Sequence, residues 1–236
     1  MKLIVSSFLI SLLIFVSSTN AQQIGWLTDY KTAHKLAVET GKPMLLDFTA
    51  KWCKPCRQME KEFWSRAEII ELSKDFVCVK VDVEKNKSLA EKYVVAALPN
   101  VILTDSWGNG VEFHRGFGIN GVREITEKLL ALPRDFSPIK EAHKIIASDK
   151  KNLKALSEIA GFYQQKKFYY LSSDFYSRML KLEKNVSKRE LLMLNLAENY
   201  LQIGWNADAK DMLETIKKEF PNSPRMEKVN RDLANL

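Results

Sequence analysis

The chain has 236 residues, of which 46% are hydrophobic and 28% charged, the composition of two small globular domains, excluding disordered or membrane-embedded chains. Its formal net charge of +7 comes from 36 basic residues spread among 29 acidic ones, as in Glu60-Lys61-Glu62 and Glu84-Lys85-Asn86-Lys87. That is the pattern of a solvated surface and implies no nucleic-acid partner. Three cysteines are too few for a disulfide scaffold and leave one candidate pair with one odd thiol.

Lys2, the apolar run Leu3 to Val16 and the small-residue segment Ser17 to Ala21 have the three regions of a secretory signal over residues 1–21, with cleavage expected before Gln22. The apolar run falls short of the roughly 20 residues a spanning helix needs, and no cysteine follows it to carry a lipid. The reading is therefore secretion across an inner membrane into a periplasm. Thr28-Asp29 can cap a helix with Ala33, Leu36, Ala37 and Thr40 at helical spacing, and Gly41 stops it. Pro43 opens a buried strand through Phe48. Asp47 lies inside that apolar run, where a lone carboxylate is costly, so it is either a high-titrating proton acceptor or a strand-end residue facing solvent.

Trp52-Cys53-Lys54-Pro55-Cys56 follows, ahead of the charged stretch Arg57 to Glu62. A strand, a small-residue turn and then good helix formers place Cys53 at the start of a helix. There the free N–H groups and the dipole favour its thiolate. Lys54 adds a cation, and Pro55 fixes the first turn without wasting an N–H. Two intervening residues bring Cys56 within disulfide reach, so Cys53 is a candidate nucleophile and Cys56 the resolving thiol. The competing readings are half of a zinc site or two core cysteines. Zinc asks for four ligands; only Cys78 remains, and His34, His114 and His143 stand at no ligand spacing.

The segment Asp47-Phe48-Thr49-Ala50-Lys51-Trp52-Cys53-Lys54-Pro55-Cys56 resembles the active-site segment of thioredoxins, and the resemblance extends from Trp26 to Leu132. The lead-in Gly41 to Phe48 and the continuation Met59-Glu60-Lys61-Glu62-Phe63 are similar to periplasmic thioredoxin-like reductases, among them the C-terminal thiol-disulfide domain of the membrane electron-transporting reductase. The resemblance implies an α/β thioredoxin fold, a mixed sheet flanked by helices, over residues 22–133. It implies a redox-active disulfide with no metal and no organic cofactor. It also places Asp47 beneath the disulfide as proton acceptor for Cys56. Lys54-Pro55 stands where thioredoxins typically carry Gly-Pro, so Lys54 and Pro55 are tuning positions.

Ser65-Arg66-Ala67-Glu68 has capping-box spacing for a helix through Leu72. Phe76 to Val83 is β-rich and reads as a central strand. Within it Cys78 reads as a small buried hydrophobe, and Lys80 aligns with a thioredoxin lysine near the buried aspartate, so the resemblance implies a tuning role for Lys80. A short helix from Lys87 to Tyr93 leads to Leu98-Pro99-Asn100 and a strand over Val101 to Thr104. Sequence alone favours a trans proline. The resemblance implies a cis Pro99 facing the disulfide, with Leu98, Pro99 and Trp52 shaping a substrate-binding surface. Asn100 replaces the family's more frequent Thr. Asn109-Gly110 is a hairpin signal, with Val111 to His114 as the return strand and no catalytic duty for His114. Gly116 and Gly118 would allow close backbone approach, and Asn120 would cap a helix to Leu132.

Leu132 to Pro138 reads as a boundary, and residues 134–236 as an all-α helical-repeat domain. Ala160, Tyr163, Ser172, Tyr176 and Met179 recur 37 positions later as Ala197, Tyr200, Ala209, Leu213 and Ile216. The spacing resembles tetratricopeptide repeats, with the aromatic stretch Phe162 to Tyr176 as inter-helix core and flanking helices at Ile139 to Ala147 and Pro224 to Leu233. The expected activity is exported protein thiol-disulfide oxidoreduction, mainly reduction. Its partners would be disulfide-bonded proteins and a thiol electron donor such as a membrane reductase. Alternatives are an oxidant or isomerase, since Lys54 can raise the potential, or a redox-regulated adaptor whose repeats bind a protein.

Overall fold

The computed structural model describes residues 23–236; the expected signal segment, residues 1–21, lies outside them. In chain order the sheet-bearing part contains α1 (Tyr30–Thr40), β1 (Met44–Thr49), α2 (Lys54–Met59), a π-helical turn (Glu60–Trp64), α3 (Ala67–Ser73), β2 (Val77–Asp82), α4 (Lys87–Lys92), β3 (Asn100–Thr104), β4 (Gly110–Arg115) and α5 (Gly121–Ala131). The strand order is β2-β1-β3-β4, with β2 parallel to β1 and the other neighbours antiparallel. This is the expected mixed sheet flanked by helices, a thioredoxin fold.

Strand alternation explains the two layers. Leu45, Cys78, Val101 and Leu103 pack beneath Met59, Phe63, Trp64, Ile125 and Leu129 on one face. Met44, Leu46, Phe48, Val79 and Ile102 pack against Ala33, Ala37 and Tyr93 on the other. Asp29 caps α1 as its sequence suggests, accepting from the Thr32 N–H at 2.8 Å, and Gly41 closes it at φ 75°.

Several local expectations change. The strand at Val77–Asp82 is an edge, not a centre, because nothing but an isolated bridge from Leu27 to Val79 continues the sheet beyond it among the described residues. Ser65 does not cap α3; Arg66 is the N-cap, and the Ser65 hydroxyl donates back to the Lys61 carbonyl at 2.5 Å, closing the π turn. The β3–β4 turn is not built on Asn109-Gly110. Gly108 takes the left-handed conformation at φ 76°, and the Asp105 carboxylate accepts from the N–H groups of Trp107 at 2.7 Å and Asn109 at 2.9 Å. An aspartate that gathers the turn's own amides outweighs the dipeptide signal. Gly116 and Gly118 are not sites of close approach: a Cβ at either would meet nothing within 4 Å, and Gly116 is required instead by its φ of 79°. Asn120 occupies the N-cap of α5 without a side-chain hydrogen bond.

A 3₁₀ turn (Ser137–Ile139) leads into α6 (Lys140–Ser148), α7 (Leu153–Gln165), α8 (Tyr169–Leu182), α9 (Val186–Gln202), α10 (Asn206–Glu219) and α11 (Met226–Ala234). The α7–α8 and α9–α10 pairs carry the two sets of residues 37 positions apart. Ala160, Tyr163, Ser172, Tyr176, Met179, Ala197, Ala209, Leu213 and Ile216 are buried, and Tyr200 is half-buried. A polar chain ties the layers: Tyr176 OH donates to Gln164, Gln164 to Asn199, Asn199 to the Ser172 hydroxyl, and that hydroxyl to the Ala160 carbonyl, over 2.8–3.2 Å. Within the aromatic stretch Tyr163, Phe175 and Tyr176 are core as expected, whereas Tyr170 is exposed.

The helical region is joined to the sheet at the β3–β4 turn. Tyr163 donates to the Asp105 carboxylate, and Trp107 stacks on His143 with centroids 3.8 Å apart. The Phe136 N–H also meets the Gly41 carbonyl at 2.8 Å.

Candidate active site

β1 delivers the chain to a tight turn at the C-terminal end of the sheet, and the α2 N-terminus rises from it. Cys53 is the N-cap of α2, with Lys54 and Pro55 opening its first turn. Cys53 and Cys56 are joined by a disulfide with Cα atoms 5.3 Å apart. The Cys56 N–H also points at the Cys53 sulfur at 3.1 Å. When the bond opens, that N–H and the helix dipole are already aimed at the sulfur that must carry charge, which favours a Cys53 thiolate. Both cysteines are buried, packed with Ala50, Val83 and Leu98.

The face of the sheet below α2 holds the titrating machinery. Asp47 is 4% exposed, and its register partner on β2 is Lys80. Desolvation pushes the Asp47 carboxyl from 3.8 to about 7; Lys80 opposes this and Glu60 adds to it. The Lys80 ammonium is engaged in a salt bridge with Glu60 and sits 4.8 Å over the Trp26 ring. Lys80 is thus only partly available to hold Asp47 ionised. The indole of Trp64 also draws the Asp47 carboxyl down, although its Nε1 has no acceptor within hydrogen-bond distance. A carboxyl titrating near 7 can take a proton at neutral pH and give it back.

The remaining candidates fall around this centre. Trp52 is 66% exposed beside the cysteines, its indole N–H donating to Glu84 at 3.2 Å. The Leu98–Pro99 peptide bond is cis, Pro99 is buried, and its carbonyl accepts from the Gly116 N–H at 2.8 Å. Cys78 is buried under α3, with burial pushing its thiol up to about 12, so it takes no part in exchange near neutral pH. Among the described residues no group of three or more His, Cys, Asp or Glu could hold a metal.

Sequence reasoning missed Glu60, Trp64 and Trp26. Glu60 stands four positions after Cys56, on the same helix face, and that spacing was the available signal. Trp64 enters because the π turn widens the helix and lets Phe63 and Trp64, adjacent in sequence, both face the core. Trp26 meets Trp64 edge-on at 5.1 Å, a contact across sequence that only the fold could reveal.

Residues 25–105 match the Thioredoxin-like family. The chain is 44% identical over 66 residues to the H-type thioredoxin of Oryza sativa subsp. indica, a match covering 28% of this chain and 52% of that one. It is 31% identical over 103 residues to the thiol:disulfide interchange protein DsbD of Yersinia enterocolitica, covering 42% of this chain but only 18% of that one. Thus it spans about half, or far less, of the length of these two relatives. It is 33% identical over 97 residues to the thioredoxin of Echinococcus granulosus, covering 40% of this chain and 85% of that one. With nearly the whole of that small protein matched, and with the strand order and cysteine-capped helix described above, this chain belongs to the thioredoxin-like family.

Proposed function

We propose that this chain is an exported protein thiol-disulfide oxidoreductase working mainly as a reductase. The observation that carries the reading is the Cys53–Cys56 disulfide at the α2 N-terminus, on a sheet whose buried Asp47 titrates near 7. In the reduced protein the Cys53 thiolate attacks a substrate disulfide. A bond forms between Cys53 and one substrate sulfur, and the other substrate sulfur leaves as a thiolate and takes a proton from water. Asp47 accepts the Cys56 proton, and the Cys56 thiolate attacks Cys53. The second substrate thiol is released as the Cys53–Cys56 bond closes. Two electrons pass from the dithiol to the substrate, and a thiol donor such as a membrane reductase restores the dithiol. Exposed Trp52 with Leu98 and the cis Pro99 form the docking surface for the substrate disulfide. Export rests on the leader composition of residues 1–21, and the paired helical hairpins are read as tetratricopeptide-like repeats.

The test is insulin reduction by the chain lacking its leader and by Cys53→Ser. Turnover abolished by the substitution is expected. No turnover in the unsubstituted protein, with retained capture of a partner by the helical region, would replace the enzyme with an adaptor. A second reading, oxidant or isomerase, is favoured by one feature: Lys54 places an exposed cation in the first turn beside Cys53. A potential near about −270 mV supports the reductase, and one nearer about −120 to −180 mV the oxidant.

A further inference from the structure

Among the described residues the outer edge of β4 is unpaired. Because the Gly116 N–H pairs with the Pro99 carbonyl and Val101 lies opposite His114, the hydrogen-bonding alternation turns the N–H and C=O of Phe113 and Arg115 away from β3. Phe113 and Arg115 also line a cleft of about 480 Å³, whose lining further includes Lys92, Val94, Tyr170 and Leu171. Its opposite wall is therefore the start of α8, in the helical region.

Three features define what the cleft accepts. Val94, Phe113 and Tyr170 leave large apolar surfaces exposed around it. Val94 does so at φ 53°, a conformation that costs a β-branched residue strain and that glycine would adopt freely. Lys92 and Arg115 supply two cations; no acidic residue lines the cleft, and neither cation has an acidic partner among the described residues. The surface also runs on to the disulfide. Val94 lines a second cleft together with Val83, and Val83 packs on Cys53 and Cys56. A second copy presenting the same cleft would bring two further cations and no carboxylate to meet them, which disfavours that occupant.

We propose that this edge receives an extended segment of the protein being reduced, added to β4 as a further strand, with acidic side chains meeting Lys92 and Arg115 and apolar ones meeting Tyr170 and Val94. The proposal rests on the oxidoreductase reading and gives the helical region a direct part in choosing substrates. A strand added outside β4 lies three strand spacings, about 14 Å, from β1, which leads into Cys53. The docked segment therefore lies on the order of five extended residues from the reacting cysteine.

The test uses a labelled ten-residue peptide of alternating glutamate and phenylalanine, without cysteine, titrated against the oxidised chain by fluorescence anisotropy, with amide hydrogen exchange read in parallel. Binding is expected to slow exchange at Phe113 and Arg115. It should weaken at least tenfold with R115Q combined with Y170S, and at least tenfold when lysine replaces glutamate in the peptide. No binding, equal binding by the variant, protection confined to other amides, or protection of the β4 edge by self-association without peptide would each overturn the proposal. Cys53-dependent reduction of a small aromatic disulfide is measured on the same proteins and should be unchanged by R115Q/Y170S. Its absence from the unsubstituted chain would refute the oxidoreductase reading, which the peptide titration, having no redox step, does not depend on.

Discussion

Replacing Asp47 with asparagine separates the cost of a buried carboxylate from its use. Burial lifts the carboxyl from 3.8 to about 7, a shift of about three units or roughly 4 kcal/mol against ionisation in the folded protein. Between about pH 4 and 7 the folded state keeps a proton that the unfolded chain has released, so the native protein loses stability as pH rises through that window. Asparagine carries no such penalty. Asp47→Asn should match the parent near pH 4 and exceed it by up to roughly 4 kcal/mol at pH 8, read as urea midpoints of the disulfide-bonded proteins. A stability difference independent of pH would refute the assignment of the shift to Asp47. The same substitution should slow resolution by Cys56 about 10²-fold, the low end of general-base effects, while the first attack by Cys53 proceeds. The mixed disulfide should then accumulate in a quenched-flow assay.

Three further outcomes follow from the same geometry. Lys54→Gly removes the cation beside Cys53 and should make the pair more reducing in graded thiol-disulfide buffers; an unchanged potential would remove Lys54 from any tuning role. Glu60→Gln removes the neighbour that raises Asp47 and frees Lys80 to face it, so the pH profile of Cys56 resolution should shift to lower pH. A shift to higher pH would contradict the arrangement. Tyr163→Phe takes a donor from the fully buried Asp105 and should cost about 1–3 kcal/mol by urea unfolding without changing the Cys53–Cys56 potential; unaltered stability would show the contact to be dispensable.

The elements that carry their own local signals were legible. An apolar run, a cysteine N-cap and a Pro in the first turn place β1 and α2, and the Asp29 cap with Gly41 bounds α1 within a residue. The 37-residue recurrence marked the two helical hairpins, because each must bury the same face against its neighbour. Register and pairing order were not legible. Phe76 to Val83 has the composition of a buried strand because Leu27 and α1 cover it, so its hydrophobicity could not distinguish an edge from a centre. The π turn left no mark in composition either, since adjacent Phe63 and Trp64 read equally well as one core-facing and one surface-facing residue of a regular helix.

The two buried aspartates show why composition alone could not separate function from structure. Asp47 and Asp105 are both inaccessible, and desolvation raises both. Asp105 gathers the N–H groups of Trp107 and Asn109, the Asn109 amide and the Tyr163 hydroxyl. These donors oppose the effect of burial, which still leaves the Asp105 carboxyl raised, and they fix a turn against a helix 58 residues away in sequence. Asp47 has a shared lysine and an indole held just out of reach, so little offsets its burial and its proton affinity moves into the neutral range. A carboxyl surrounded by donors holds a fold together; one with few donors that titrates near 7 is able to exchange a proton at neutral pH. The difference lies in what other elements supply: for Asp47 a Lys80 on β2 that pairs with Glu60 and a Trp64 indole in the π turn that makes no hydrogen bond, for Asp105 a Tyr163 on α7 that donates to it. Only their arrangement in space assigns the two residues their different work.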